Sequence, residues 1–380
     1  MGIQSASATF TRFFVPKVIT EDFWGLVDEK IRAARFKDCE DGQEQAVGFS
    51  SWDDFFDSEF EFGSYHKGEY VAFNFRVDQR KVPPIILKQH VRRAIEKYRK
   101  EHEGKWPSRQ ERAEINENIQ NWLLTRVLPQ PSHCEVVWNS AADWMLVGTT
   151  STRTMDALLE LFERHFGTYP VPLYHVQWAL NMIPLDGRQK DTLASMVSIK
   201  SANALNEGRF LGYEFLTWLW FYAEQFEGKF KLNENQTGEV FLGERLVLSL
   251  PGEGKEKVVC TTQANALHEA RTALRQGKSV EEMQLLLRIG ENEYYLTLDS
   301  SLWAVKGLKT PKQLPSEEDD EADALFLEKM FFIEQVSSAL NVLYSRFLTD
   351  RLSPGWDSDV LPAFKQWTEG KTEEAGLAPF

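Results

Sequence analysis

Between residues 82 and 127 the chain has room for little besides two helices and the break that joins them. Pro83-Pro84 opens the segment, and proline suits a first helical turn because the N–H it lacks would have no partner there. Leu87, Val91, Ala94, Ile95 and Tyr98 then recur as one narrow apolar stripe, and Gly104-Lys105-Trp106-Pro107 interrupts it. Ser108-Arg109-Gln110-Glu111 has the spacing of a capping box, hydroxyl to backbone N–H and carboxylate reaching back. Ile115, Ile119, Trp122 and Leu123 carry the second helix toward Pro129.

On either side of this hairpin the patterns mix α and β. Val18 to Phe36 has helical spacing, and Tyr70 to Arg76 alternates with Val71, Phe73 and Phe75 on one face, as a half-buried strand does. Glu135 to Trp138 and Trp144 to Gly148 are placed to pair across Asn139-Ser140-Ala141-Ala142. Met155 to Phe166 reads as a short helix and Ala194 to Ile199 as a strand. The aromatic run within 205–226 reads as a buried helix. Hairpin-like runs follow at Glu239 to Leu250, Lys257 to Thr262, Met283 to Ile289 and Tyr294 to Leu298. Beyond the acidic connector Glu317 to Glu321, Phe326, Met330, Ile333, Val336, Leu340, Leu343 and Phe347 recur at three and four residues. That face must meet a sheet or a second subunit. The tail past Ser353 reads as loose.

At 380 residues two or three domains are expected. The fold class is α+β: a β-rich centre from 8–80 and 135–200, a helical tip at 81–134, a base at 201–350 and a tail at 351–380. Three distant cysteines fit buried thiols in a reducing compartment. The first residues lack the basic-then-apolar pattern of a secretory signal, and no apolar run is long enough to span a bilayer. A cytoplasmic protein without membrane contact is expected.

A net charge of −14 argues against a surface coated with nucleic-acid contacts. The first helix of the hairpin departs from that balance. Lys88, Arg92 and Arg99 flank its stripe on one side, Arg93, Lys97 and Lys100 on the other, and Glu96 is the sole acid before Glu101. Like charges at i and i+4 repel, so a one-signed face in an acidic chain points to an anionic partner; phosphate contact by Lys and Arg is independent of base sequence. The bland alternative is a solvated helix, or one that pairs with acidic surface elsewhere.

Gly252-Glu253-Gly254-Lys255 lacks the upstream Gly and following hydroxyl of a phosphate loop and reads as a hairpin turn. His133-Cys134 has no zinc spacing around it and reads as an interior pair. The enzymatic rival is a metal-dependent nuclease. Asp53, Asp54, Asp57 and Glu59 would hold Mg²⁺, with Glu227-Gly228-Lys229 or Glu253-Gly254-Lys255 aligning water. Phe55 and Phe56 break that acidic cluster and fit a surface loop anchored by aromatics. A third class is a protein–protein regulator using the 210–221 or 326–347 helix, although long apolar stripes usually face a protein's own core.

Val82-Pro83-Pro84-Ile85-Ile86-Leu87-Lys88-Gln89-His90 resembles the P-x-x-[VI]-[IL]-K-Q segment that opens the helical hairpin of the bacterial RdgC proteins. Leu123 to Leu128, Val136 to Gly148 with Gly167 to Leu173, and Gly277 to Val280 are similar in order and spacing. The resemblance covers roughly residues 8–350 and is strongest over 70–175. It implies a ring-shaped homodimer that encircles double-stranded DNA without sequence preference and modulates RecA in recombination and fork repair. A nucleoid-associated location follows, with no catalytic residue, metal or other cofactor. It implies a duplex-binding set of Lys81, Lys88, Arg92, Arg93, Lys97, Arg99, Lys100, Arg109, Arg112 and Gln263, and a subunit contact at Trp122, Leu124 and Leu128. Two positions depart from the family pattern: Leu128 stands where a Phe is common, and Thr261-Thr262-Gln263 lacks the usual Lys beside Gln.

Overall fold

The computed structural model describes residues 2–16, 21–40, 42–201, 210–250, 256–261, 264–311 and 321–369. The first part of the chain runs β1 (Ala8–Phe14), α1 (Phe23–Ala33), β2 (Gln45–Ser51), β3 (His66–Lys67), β4 (Tyr70–Gln79), α2 (Pro84–Glu101), α3 (Arg109–Leu124), β5 (Gln130–Asn139), β6 (Trp144–Val147), α4 (Thr152–Phe166) and β7 (Val171–Pro172). The remainder runs α5 (His175–Met182), α6 (Gly187–Ser201), α7 (Phe210–Gln225), β8 (Lys229–Lys231), β9 (Thr237–Ser249), β10 (Lys257–Thr261), α8 (Ala264–Arg275), β11 (Ser279–Ile289), β12 (Asn292–Asp299) and β13 (Val305–Lys309). The long helix α9 (Glu321–Arg351) follows, then a π-helical turn (Trp356–Val360) and α10 (Leu361–Glu369). The fold is α+β, and every pairing between these strands is antiparallel.

The strands form one sheet in the order β10-β9-β11-β12-β13-β1-β6-β5-β4-β2. Strand β1 joins its halves. Ala8 and Phe10 pair with Leu308 and Val305 of β13, across a bulge, while Thr11 to Phe14 pair with Val147 to Trp144 of β6. At the β2 edge, Phe36 N donates to Phe49 O and Phe49 N to Ala34 O, so the chain leaving α1 covers a strand edge that would otherwise be open. Gly48 permits that approach: a Cβ there would sit 2.3 Å from Phe36 Cα.

Each side of the sheet has its own core. In the smaller one, α1 and α4 cover Phe73, Val136, Trp138 and Met145. In the larger one, α5, α7 and α9 bury Trp178, Trp303, Tyr344 and Phe347 with the strands of the second half. The alternating run at 70–76 is therefore a strand covered on both faces rather than half-buried: Val71, Phe73 and Phe75 enter the smaller core, Tyr70 and Ala72 the larger. Helix α7 is apolar all round and buried along nearly its whole length, as its composition demands. The apolar face of α9 meets this chain's own sheet and helices.

Other expectations need correction. Ala194 to Ile199 lies in helix α6, not a strand. Its start is set by Asp186, whose carboxylate accepts from Gln189 N (2.7 Å) while the Gln189 side chain accepts from Asp186 N (2.9 Å). That reciprocal cap outweighs the β-branched residues further along. The tail is ordered through residue 369, because Trp367 is buried against Trp220 and donates its indole N–H to Glu224 (2.8 Å). His133 is exposed with Phe55 stacked on it, so only Cys134 of that pair is interior. Among the described residues no helix is long and apolar enough to cross a membrane. Trp367→Ala is expected to cost about 3–5 kcal/mol through the cavity it leaves, read as a lower denaturant midpoint with unchanged slope.

Candidate nucleic-acid interface

The tip leaves the sheet at the end of β4 and returns at the start of β5, where Gln79 and Gln130 are paired. Arg80 secures its base. Its side chain is buried and donates from Nη1 to the carbonyl of Val127 (2.8 Å) and, at longer range, to that of Leu124 (3.4 Å). Between these ends α2 and α3 pack on one another. Pro84 occupies the first turn of α2, and the expected capping box starts α3: Glu111 N donates to Ser108 Oγ (3.3 Å) and Ser108 N to Glu111 Oε2 (2.8 Å). Across the break, Tyr98 OH donates to Glu111 (2.6 Å).

Helix α2 spans about 27 Å at 1.5 Å per residue, and none of its eighteen residues is buried. Its apolar stripe is half-covered by α3, and the rest of its circumference faces solvent. Lys81, Lys88, Arg92, Arg93, Lys97 and Lys100 are all exposed. Two make ion pairs along the helix, Arg92 with Glu96 (3.2 Å) and Lys97 with Glu101 (3.8 Å), with side chains 82% and 77% exposed. Exposed i,i+4 pairs are worth a few tenths of a kcal/mol and yield readily to a phosphate. Residues 81–128 carry eleven Lys or Arg against six Glu and no Asp, so the tip is positive in an acidic chain.

Not every expected residue stands in that array. Arg99 is half-buried with its guanidinium over Trp106 (4.1 Å), where it helps close the turn. Arg109 and Arg112 are exposed at the start of α3. Gln263 and Thr262 lie outside the described residues, and Thr261 ends the edge strand β10. Of the three tip positions, Leu128 is 83% exposed and Trp122 40%, but Leu124 is buried within this chain and has no side-chain surface to offer a partner. The sequence reading missed Arg80 and Arg126, the latter lying over the Trp122 ring (4.2 Å). A single arginine at an element boundary carries no periodic signal.

The acidic residues that a nuclease would need are occupied separately. Asp53 receives Lys67 (2.8 Å), Asp54 and Asp57 accept the backbone N–H groups of Phe56 and Glu59, and Glu59 pairs with Arg35 (2.6 Å). Glu227 and Lys229 pair with each other; the second E-x-K triplet, at Glu253 to Lys255, lies outside the described residues. Among the described residues no group of three or more His, Cys, Asp or Glu side chains is arranged to hold a metal ion.

Hydrogen bonds from Tyr98 and Ser108 pull the Glu111 carboxyl from its ordinary 4.5 down to about 2. A lowered carboxyl stabilises the folded form above its unfolded value and stops doing so as pH falls through the folded one. The helix break should therefore loosen as pH drops from about 4.5 toward 2, before the body of the protein unfolds. Fluorescence of Trp106 and Trp122 would report it, and Glu111→Gln should flatten that response.

A search of curated proteins gives no match. A family model described as "Putative exonuclease, RdgC" matches residues 20–183, from just before α1 to the end of α5, with the whole tip inside the matched span. Over that span the chain is similar to the RdgC family.

Proposed function

We propose that this protein is a sequence-independent duplex DNA clamp: two copies close into a ring, the exposed cations of α2 line its opening, and the bound dimer limits RecA access during recombination and fork repair. The observation that carries the reading is the solvent-facing α2, where Lys88, Arg92, Arg93, Lys97 and Lys100 stand clear of the body on a helix with no buried residue. Such a surface neutralises phosphates and releases counterions, and it reads no base edge. In this reading the protein has no catalytic residue and no cofactor, and it works in the cytoplasm on the nucleoid. Leu128 and Trp122 present the apolar surface for the tip-to-tip contact.

Replacing Arg92, Arg93 and Lys97 together with Glu should abolish duplex binding at moderate salt while leaving the unfolding midpoint almost unchanged, since all three are exposed. In the parent protein, fluorescence anisotropy should give equal affinities for unrelated duplexes. A plot of log affinity against log salt should fall with a slope of about −0.9 per phosphate contacted. Unchanged affinity in the triple variant would rule out α2 as the contact surface. Shortened DNA after incubation with Mg²⁺ would favour the exonuclease reading instead.

A further inference from the structure

Apart from the tip, the most unusual polar group in the molecule is Arg12, in the middle of β1. Its side chain projects on the same face as Phe10, toward the larger core, and the residue is only 5% exposed. The guanidinium lies over the Trp178 ring at 4.0 Å. Its Nε and Nη2 are shut away from solvent without any hydrogen-bond partner. Burial alone lowers its pKa to about 9. A buried cation without an acceptor is costly to keep, and at Arg76 this chain meets that cost with a carboxylate: its Nε and Nη2 hold both oxygens of Asp78, at 2.8 and 2.7 Å.

Arg12 lines a cavity of about 310 Å³, at the small end of the range for ligand sites. Trp144, Leu146, Met182 and Ile333 supply apolar wall. Asn341 and Ser338 of α9 add polar groups, and the Asn341 side-chain oxygen already accepts from Trp178 Nε1 (2.6 Å), which leaves its amide N–H groups for a guest. Glu69 and Glu334 also border the space. Glu69 accepts from Asn139 (2.9 Å) and Glu334 from Tyr70 OH (2.9 Å), and burial raises the Glu334 carboxyl toward its neutral form. With two acidic side chains nearby and a single guanidinium, a dianion such as a phosphate would meet net repulsion. A single carboxylate meets less of that repulsion and can pair one-to-one with the guanidinium.

We infer that the cavity between β1, α5 and α9 is a binding site for a small monocarboxylate with an apolar body, its carboxylate on Arg12 and its body against Trp144, Leu146 and Ile333. This site is separate from the α2 surface and does not depend on the duplex-binding reading.

Phenylacetate is a suitable probe, with benzyl alcohol as the neutral control and phenyl phosphate as the dianion. Calorimetric titration of the full chain should show saturable phenylacetate binding at least tenfold tighter than that of either control. Arg12→Met should remove that preference and raise the thermal midpoint of the unliganded protein, because the unpaired charge is gone. Ser338 is exposed at the cavity wall, so Ser338→Trp should block phenylacetate without disturbing the core or duplex affinity; it serves if Arg12→Met fails to fold. The site is overturned if phenylacetate binds no better than benzyl alcohol, if phenyl phosphate binds more tightly, or if phenylacetate affinity is unchanged in Arg12→Met or Ser338→Trp.

Discussion

Strand β1 must satisfy both halves of the sheet at once. Its first residues hydrogen-bond to β13, near the end of the chain, and its last to β6, so a seven-residue strand close to the N-terminus is where the sheet becomes continuous. A bulge between Ala8 and Phe10 accommodates the change of partner. The two cores take different side chains of this strand, Phe10 the larger and Phe13 the smaller. Both cores draw side chains from it, and pairing residue 8 with residue 308 closes a loop of about 300 residues.

The acidic body and the basic tip divide the electrostatics. Several cations of the body are paired with carboxylates on the sheet and its helices, as in Lys306 with Asp299 and Glu282, or Arg351 with Glu214. On α2 the cations outnumber local acids and stand in water. Separation of this kind keeps the overall charge negative while leaving a concentrated positive surface on the tip.

The tip was the part most legible in the sequence, because its signals are local: Pro at the first turn, one apolar stripe, a Gly-Pro break and a capping box within four residues. Strands β9 to β12 were legible for the same reason, their runs being separated by turn residues, whereas the short β8 and β13 were not. What escaped depends on contacts between distant segments. Nothing near residue 367 announces that Trp220 and Glu224 await its indole. Alternation in 70–76 marked one buried face, but α9 covers the other from 260 residues away. Helix α6 was not legible at 194–199, because the Asp186–Gln189 cap that starts it lies eight residues earlier. Arg12 gave no signal, since a lone arginine in an apolar strand looks like any edge residue until its surroundings are known.

The pairing of Gln79 with Gln130 has a topological consequence. The hairpin's two ends are neighbours in the ladder, about 5 Å apart, so the fifty residues between them form a loop whose closure the sheet has already supplied. Seen from β4 and β5, the tip is an overgrown β-turn. Its length and inclination can change without altering the register of any strand beneath it.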